Sequence, residues 1–534
     1  MSSSSPAAAS PWLPASQAWK AMVGLLLGFF MLLVDTTIVV TALPRMMTEL
    51  DADLNAGVWI TSAYLLTYAV PLLVSGRLGD RFGAKNIFVL GLVIFTGASL
   101  WCGLSSSVAW LIAARAVQGL GAALLSPQSM TLITRMFAPE KRGAPMAVWG
   151  ATAGVATLAG PLLGGVLVDA LGWEWIFFVN LPVGVLCFIM VAIWIPKLPV
   201  HSHSFDLLGV VLSSVGLFLL VFGIQQGESH DWSRIWGPFT AWEFIVAGCV
   251  ILGVFIWWQS VNSKEPLLPL HLFRSRNVSL ANLTATCMGI AVTTFGLPVV
   301  LYLQTVDGFS PTQAALVMAP MSVVSILASP LAGSMVSRVD TKWMAAPGFA
   351  IFAAGMFASS WCLVQQADLI WLLLSSAVMG IGSAAVWPSI SLTNNRDLTQ
   401  ADAGAGSGVF NTTRQVGSVI GSAVIAWVMQ AQIESEVRGA TAGLPSAAKR
   451  EAQHLTAQGS SGGTDVPDFL HHAFASAYGV SVLVPACAAL LGALVALCFA
   501  PRASTRAEAA RAQDDPEARN HAHPEEQETT HGTH

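Results

Sequence analysis

Runs of about 20 apolar residues recur from Lys20 to Ala500, each parted from the next by a short polar segment. A run of that length crosses a roughly 30 Å hydrocarbon core as a helix, so the pattern predicts membrane-spanning helices. Fourteen spans are read, at 20–43, 57–76, 86–105, 109–131, 143–168, 174–196, 206–225, 241–260, 278–303, 311–335, 343–363, 369–392, 404–431 and 473–500.

Composition agrees with this reading. Of the 534 residues 54% are hydrophobic and only 10% are charged, against about 25% charged in soluble domains. The chain therefore reads as an all-α, multi-pass integral membrane protein. The first eighteen residues lack a basic segment, and the apolar run that follows exceeds a signal-peptide core, so no cleaved leader is expected. Of the 25 Lys and Arg, five (Arg45, Arg234, Arg438, Lys449, Arg450) fall in segments expected outside and two (Arg115, Arg414) inside spans. The rest fall on the side of the N-terminus, which places both termini in the cytoplasm of a cell membrane. The net charge of −5 owes much to the C-terminal tail and says little about partners.

Two weak internal similarities suggest related halves. GRLGDRFGAK (76–85) follows span 2 and GSMVSRVDTK (333–342) follows span 10, while ARAVQGLGAA (114–123) is matched with TRQVGSVIGSA (413–423). The expected organisation is a cytoplasmic segment at 1–19, a six-helix bundle at 20–196, two inserted helices at 206–260 and a second six-helix bundle at 278–500, with the substrate site between the bundles. A long polar outer loop at 433–470 and a tail at 501–534 read as disordered. The four tail histidines are read as solvated, and no metal site is expected.

Asp35 is the one acid placed deep in a span, where a charge costs roughly 2.5–3.5 kcal/mol on insertion scales. At 1.5 Å per residue it lies about 12 Å below the outer end of span 1, and Arg115 about 9 Å below that of span 4. If these spans are neighbours, the arginine compensates the carboxylate when close, and the carboxylate takes up a proton when the two part, as a proton carrier must. A static ion pair joining two helices is the alternative. Arg414, in span 13, has no carboxylate at matching depth; it either faces substrate or serves backbone carbonyls. The small residues and Pro161 of 149–167 suit close helix packing, or a seam that bends and slides. In 76–85 the glycines allow a tight turn, and Asp80 is free to pair with an arginine or to cap a neighbouring helix. The seven cysteines are read as small core residues, and the sequons at Asn277, Asn282 and Asn411 as chance matches.

Taken in order, LLVDTTIVVTALP (32–44), WITSAYLL (59–66), GRLGDRFGAK, LIAARAVQGLGAAL (111–124), AGPLLGG (159–165) and GWEWIFFVNLPVG (172–184) resemble the successive motifs of the major facilitator superfamily. More narrowly, they resemble its fourteen-helix drug:proton antiporter family. The match is strongest over residues 20–200 and weaker to about 430. The resemblance implies the major facilitator fold and proton coupling by Asp35 and Arg115, with Gln118 and Gly119 in the helix 4 motif. It also implies an antiporter motif at Gly160, Pro161, Gly164 and Gly165, and a cytoplasmic gate at Gly76, Asp80, Arg81 and Gly83. Ala84 departs from the basic residue usual in the gate, and Glu174 from the arginine usual between the tryptophans.

The function expected is proton-coupled export of lipophilic small molecules, such as drugs, antibiotics and monovalent cationic dyes, by alternating access. Monovalent cations or neutral drugs are expected to be exported better than dications, because members of the resembled family that expel dications often carry further cavity acids and spans 2, 10 and 13 supply none. Export of one endogenous metabolite, lipid or self-made antibiotic shares every feature. A membrane enzyme would need a cluster of reactive or metal-binding side chains that the spans do not supply. A proton-coupled importer is disfavoured by AGPLLGG. No G-x-x-x-x-G-K-[ST] motif is present, so the proton gradient is the expected energy source, without cofactor. The expected partners are substrate, protons and membrane lipid, with no nucleic acid, and the protein is expected to be a monomer.

Overall fold

The computed structural model describes residues 13–500 other than 53, 139–140, 197–205, 230–233, 237–238, 263–265, 337, 397, 399–401 and 442–466. The first bundle comprises α1 (Ala15–Glu49), α2 (Leu54–Ala69), α3 (Leu72–Phe82), α4 (Ala84–Gly103), α5 (Val108–Met136), α6 (Gly143–Leu171), α7 (Trp175–Phe178) and α8 (Asn180–Trp194). An inserted pair follows, α9 (Leu207–Ser229) and α10 (Ala241–Val261). The second bundle holds α11 (Arg276–Thr305), α12 (Pro311–Val317), α13 (Ala319–Val336), α14 (Lys342–Val364), α15 (Leu369–Arg396), α16 (Ala403–Thr441), α17 (Asp468–Ser481) and α18 (Leu483–Ala496). Thirteen of the helical stretches are long and apolar enough to cross a membrane, and α2 with α3, bent by 47°, makes the fourteenth.

Proline decides where spans break. Pro71, Pro182, Pro320 and Pro485 each follow within three residues of an interruption, because proline removes a backbone donor and crowds the preceding turn. Pro127, Pro161 and Pro298 are instead carried inside continuous helices. The sixth span, expected to be continuous over 174–196, is thus divided at Val179, which leaves Asn180 at the start of α8.

Several boundaries differ from expectation. Residues 15–19, assigned to a cytoplasmic segment, are the first turns of α1, and α16 runs as helix to Thr441 through the start of the expected outer loop. The middle of that loop (442–466), the tail with its histidines and residues 1–12 lie outside the described residues. A two-stranded antiparallel ladder, β1 (Arg234–Trp236) with β2 (Phe239–Thr240), joins α9 to α10. Cys249, Cys487 and Cys498 lie exposed on the outer surface rather than in the core, whereas Cys102, Cys187, Cys287 and Cys362 are buried. Asn277, Asn282 and Asn411 are all buried, which leaves no room for glycans.

In the first bundle α1 packs on α6 and α8, and α5 on α2 and α4; in the second, α15 packs on α13 and α14, and α11 on α16 and α18. The inserted α9 bridges the two. Its Val221, Phe222 and Ile224 share one apolar cluster with Leu66 and Ala69 of α2 and with Val419 and Ala423 of α16.

Candidate functional site: a buried ion pair beside an interbundle cavity

Arg115 on α5 donates through Nη1 to Asp35 Oδ2 of α1 at 2.6 Å, and both side chains are essentially sealed, at 1% and 0% exposure. Asp35 Oδ1 accepts from Gln118 Nε2 at 2.9 Å and from Asn180 Nδ2 at 3.1 Å. Ser99 on α4 accepts from both amides and donates to the Phe177 carbonyl. Three helices, α1, α4 and α5, and the α7–α8 break thus meet around one carboxylate.

The arginine has partners besides the carboxylate. Its Nη1 also donates to Gln118 Oε1 at 2.6 Å, its Nε donates to the Ile60 carbonyl at 3.3 Å, and its guanidinium lies 4.1 Å from the Tyr64 ring centroid. A cation over an aromatic face is held by the ring quadrupole. Neutralising Asp35 therefore does not strand the arginine's charge.

Glycines set the distances between these helices. Gly119 lies where a side chain would collide with Thr67 and the Tyr64 carbonyl, so α5 comes close against α2. Gly160 and Gly164 of α6 pack likewise on Thr37 and Thr41 of α1, the face next to Asp35. Gly165 faces Thr312 of α12, and Gly150 and Gly154 face Trp387 and Ser325, across the seam between bundles. Pro161 lies within α6 without breaking it. The small-residue run thus serves two seams, one within the first bundle and one between bundles.

At the end expected to be cytoplasmic, Asp80 is fully buried and accepts from Arg135 Nη2 at 2.6 Å. Its carboxylate lies against Gly404 in the first turn of α16, where a Cβ would collide with it, and Gly76 meets the Gly404 carbonyl. Of the two expected roles of Asp80, the structure shows the arginine pairing, and the carboxylate lies beside the start of α16. Gly83 has φ +89°, which suits glycine at the turn, and Arg81 lies exposed over the Phe82 ring. Arg77 donates to the carbonyls of Pro266 and Leu267 in the linker between bundles. Lys85 donates to the carbonyls of Ala192 and Ile195 at the end of α8. On the matching seam Gly333 packs on Ala144 and Ala147 of α6, and Arg142 donates to the Asn395 carbonyl of α15. The likeness of 76–85 to 333–342 therefore has a structural counterpart.

The likeness of 114–123 to 413–423 has none. By order in the bundles the counterpart of α5 is α15, and Arg414 lies on α16, at a cavity of about 210 Å³ between the bundles. Leu32, Leu33 and Thr36 of α1, Tyr68 of α2, and Gln415 and Ser418 of α16 contribute to its wall. Among the described residues no acidic side chain lines it. Arg414 Nη2 donates to Tyr68 Oη at 3.4 Å, Nε has no hydrogen-bond partner, and among the described residues no carboxylate pairs with it.

Tyr64, Ser99 and Asn180 were not singled out from sequence, nor Arg135 and Tyr68. The chain has only four tyrosines, and two stand one helical turn apart in span 2, which was a usable signal. The apolar pattern ends the fourth span at 131 and so puts Arg135 with the loop basic residues, whereas α5 continues to Met136.

Comparison with known proteins places this geometry in a family. The chain is 45% identical over 90% of its length, and 80% of the relative's, to an uncharacterised MFS-type transporter of Mycobacterium tuberculosis. It is 31% identical to the tetracenomycin C resistance and export protein of Streptomyces glaucescens, over 90% of this chain and 91% of that one. In fold it is similar to the proton:xylose symporter XylE, with a TM-score of 0.61 and 14% identity over 92% of this chain and 97% of that one. The family model of the major facilitator superfamily matches residues 25–422. A multi-pass transporter rather than an enzyme, the chain belongs to the major facilitator superfamily.

Proposed function

We propose that this protein is a proton-coupled antiporter that exports lipophilic small molecules across the cytoplasmic membrane by alternating access, with both termini in the cytoplasm. The carrying observation is the Asp35–Arg115 pair, sealed from solvent on α1 while Thr36, the next residue of α1, lines the interbundle cavity. One helix bears both the carboxylate and the cavity wall, so a shift of α1 acts on both.

In this reading Asp35 holds its charge while Arg115 is near. Protonation removes the attraction to Arg115, which keeps Gln118, Ile60 and Tyr64 as partners. The pair then parts without leaving an uncompensated buried cation, the costly outcome when an ion pair is broken. Gly160 and Gly164 give α1 a close, smooth track on α6. Asp80 and Arg135, with the Gly76–Gly404 and Gly333–Ala144 contacts, hold the cytoplasmic end shut in this conformation.

Proteoliposomes of the full chain, loaded with a panel of lipophilic dyes and antibiotics, test the reading. Movement should follow an imposed pH gradient and stop when nigericin collapses it. Movement indifferent to that gradient would overturn proton coupling. The likeness to a protein named for tetracenomycin C export favours a second reading within the same mechanism, in which one self-made compound is the main cargo.

A further inference from the structure

We infer that the interbundle cavity is built to take an anionic or strongly hydrogen-bond-accepting head group on an aromatic body, rather than a cationic one. The inference deepens the proposed export function by naming the substrate class, and it rests on that reading for its direction of transport.

Four observations carry it. Among the described residues the one charged side chain at the cavity is Arg414, whose Nε is unsatisfied and whose guanidinium makes one hydrogen bond, a long one to the Tyr68 hydroxyl. A guanidinium presents five donors in a planar fork that matches a carboxylate or phenolate, so most of its donor capacity is open to a ligand. The other polar groups of the wall include Gln415, Ser418 and Thr36, which carry no charge and so offer a cation no opposite charge. Asp35, the acid that would attract a cation, is saturated by Arg115, Gln118 and Asn180 and fully buried away from the cavity. Leu32, Leu33 and Leu65 with the Tyr68 ring supply the apolar surface for a planar body.

The cavity also reaches the ion pair through aromatic contacts. The Tyr68 ring stacks on Tyr64 at 6.0 Å, and Tyr64 lies under Arg115. An anion that draws Arg414 from the Tyr68 hydroxyl leaves that hydroxyl donating to Ser126 Oγ at 3.2 Å, next to the partner of Arg115.

Three probes with one ring system and equal reach test the inference by equilibrium binding to the detergent-solubilised full chain, read by quenching of its tryptophans. They are 1-naphthaleneacetate, 1-naphthaleneacetamide and 2-(1-naphthyl)ethylamine. The carboxylate should bind at least ~10-fold tighter than the amine, as a charge-assisted pair requires. Arg414→Gln should abolish that preference and Arg414→Lys retain part of it. The amide reports whether a cavity survives in each variant; where it fails to bind Arg414→Gln, the Arg414→Lys comparison decides. Equal or tighter binding of the amine, or a carboxylate preference that persists undiminished in Arg414→Gln, overturns the inference. Because no gradient is present, this outcome is independent of the transport test: a carboxylate preference without pH-driven movement would sink proton coupling and leave the site standing.

Discussion

Arg115 and Arg414, the two arginines that the apolar pattern of the sequence puts inside spans, are bridged by stacked tyrosines one helical turn apart on α2: Tyr64 under the first, the Tyr68 hydroxyl accepting from the second. One arginine is fully neutralised by Asp35 and the other has no carboxylate among the described residues. The contrast assigns them different work, and the predictions start from it.

Asp35→Asn should abolish pH-driven export while the chain still inserts and folds, because the amide keeps the shape and can still hydrogen-bond but carries no exchangeable charge. Vesicle transport measured against an equal amount of inserted protein checks this. Normal pumping by Asp35→Asn would place the proton carrier elsewhere.

Arg115→Ala leaves a buried carboxylate without its ion partner, which costs about 3–5 kcal/mol. Its melting temperature should fall and coupling should be lost. Arg115→Lys keeps the charge but loses the fork that reaches Asp35 and Gln118 together, so partial coupling is expected. An Arg115→Ala variant with wild-type pH dependence of transport would favour the static ion pair.

Gly160→Ala should push α1 from α6, since the new methyl collides with the Thr37 side chain. Overpacking of this kind costs about 1–3 kcal/mol. Thr37→Ala in the same chain should restore part of the loss, and a double-mutant cycle on thermal stability reads the coupling. Strict additivity would deny the contact.

Asp206, just before α9, accepts from Trp258, Gln259 and the backbone N–H groups of Gly209 and Leu267. Burial opposes its ionisation, but those hydrogen bonds outweigh it and hold the carboxyl below its ordinary 3.8. A depressed carboxyl stabilises the fold above its unfolded value and loses that contribution as pH falls through the folded one. The stability gap between wild type and Asp206→Asn should therefore be full at neutral pH and close only below about pH 4. A gap that is constant down to strongly acidic pH would show that the charge contributes nothing.

The cavity charge also alters the expected energetics. Exchange of a monocation for one proton moves no net charge, whereas export of a monoanion for one proton moves two in the direction an inside-negative potential favours. Each charge is worth roughly 40-fold per 100 mV, so the two together give roughly 2,000-fold. Naphthaleneacetate transport should respond steeply to a valinomycin-imposed potassium potential. Export insensitive to that potential would mean electroneutral exchange.

By itself the sequence determined the number of membrane crossings, the place of Asp35 and Arg115 at a common depth and the glycine turn at Gly83, because chain length against bilayer thickness, the cost of buried charge and backbone sterics are local quantities. It also marked Asp80 as more than a loop acid. Only the tertiary structure decided which groups share a site. Asn180 reaches Asp35 because Pro182 breaks a span, Ser99 reaches Gln118 because α4 packs beside α5, and Arg135 reaches Asp80 because α5 outlasts its apolar run. The same holds for Arg414. Its lack of a partner was legible in the chain, but its exposure to a cavity depends on how α16 meets α1, α2 and α9, a matter of packing between segments far apart in sequence that no local pattern encodes.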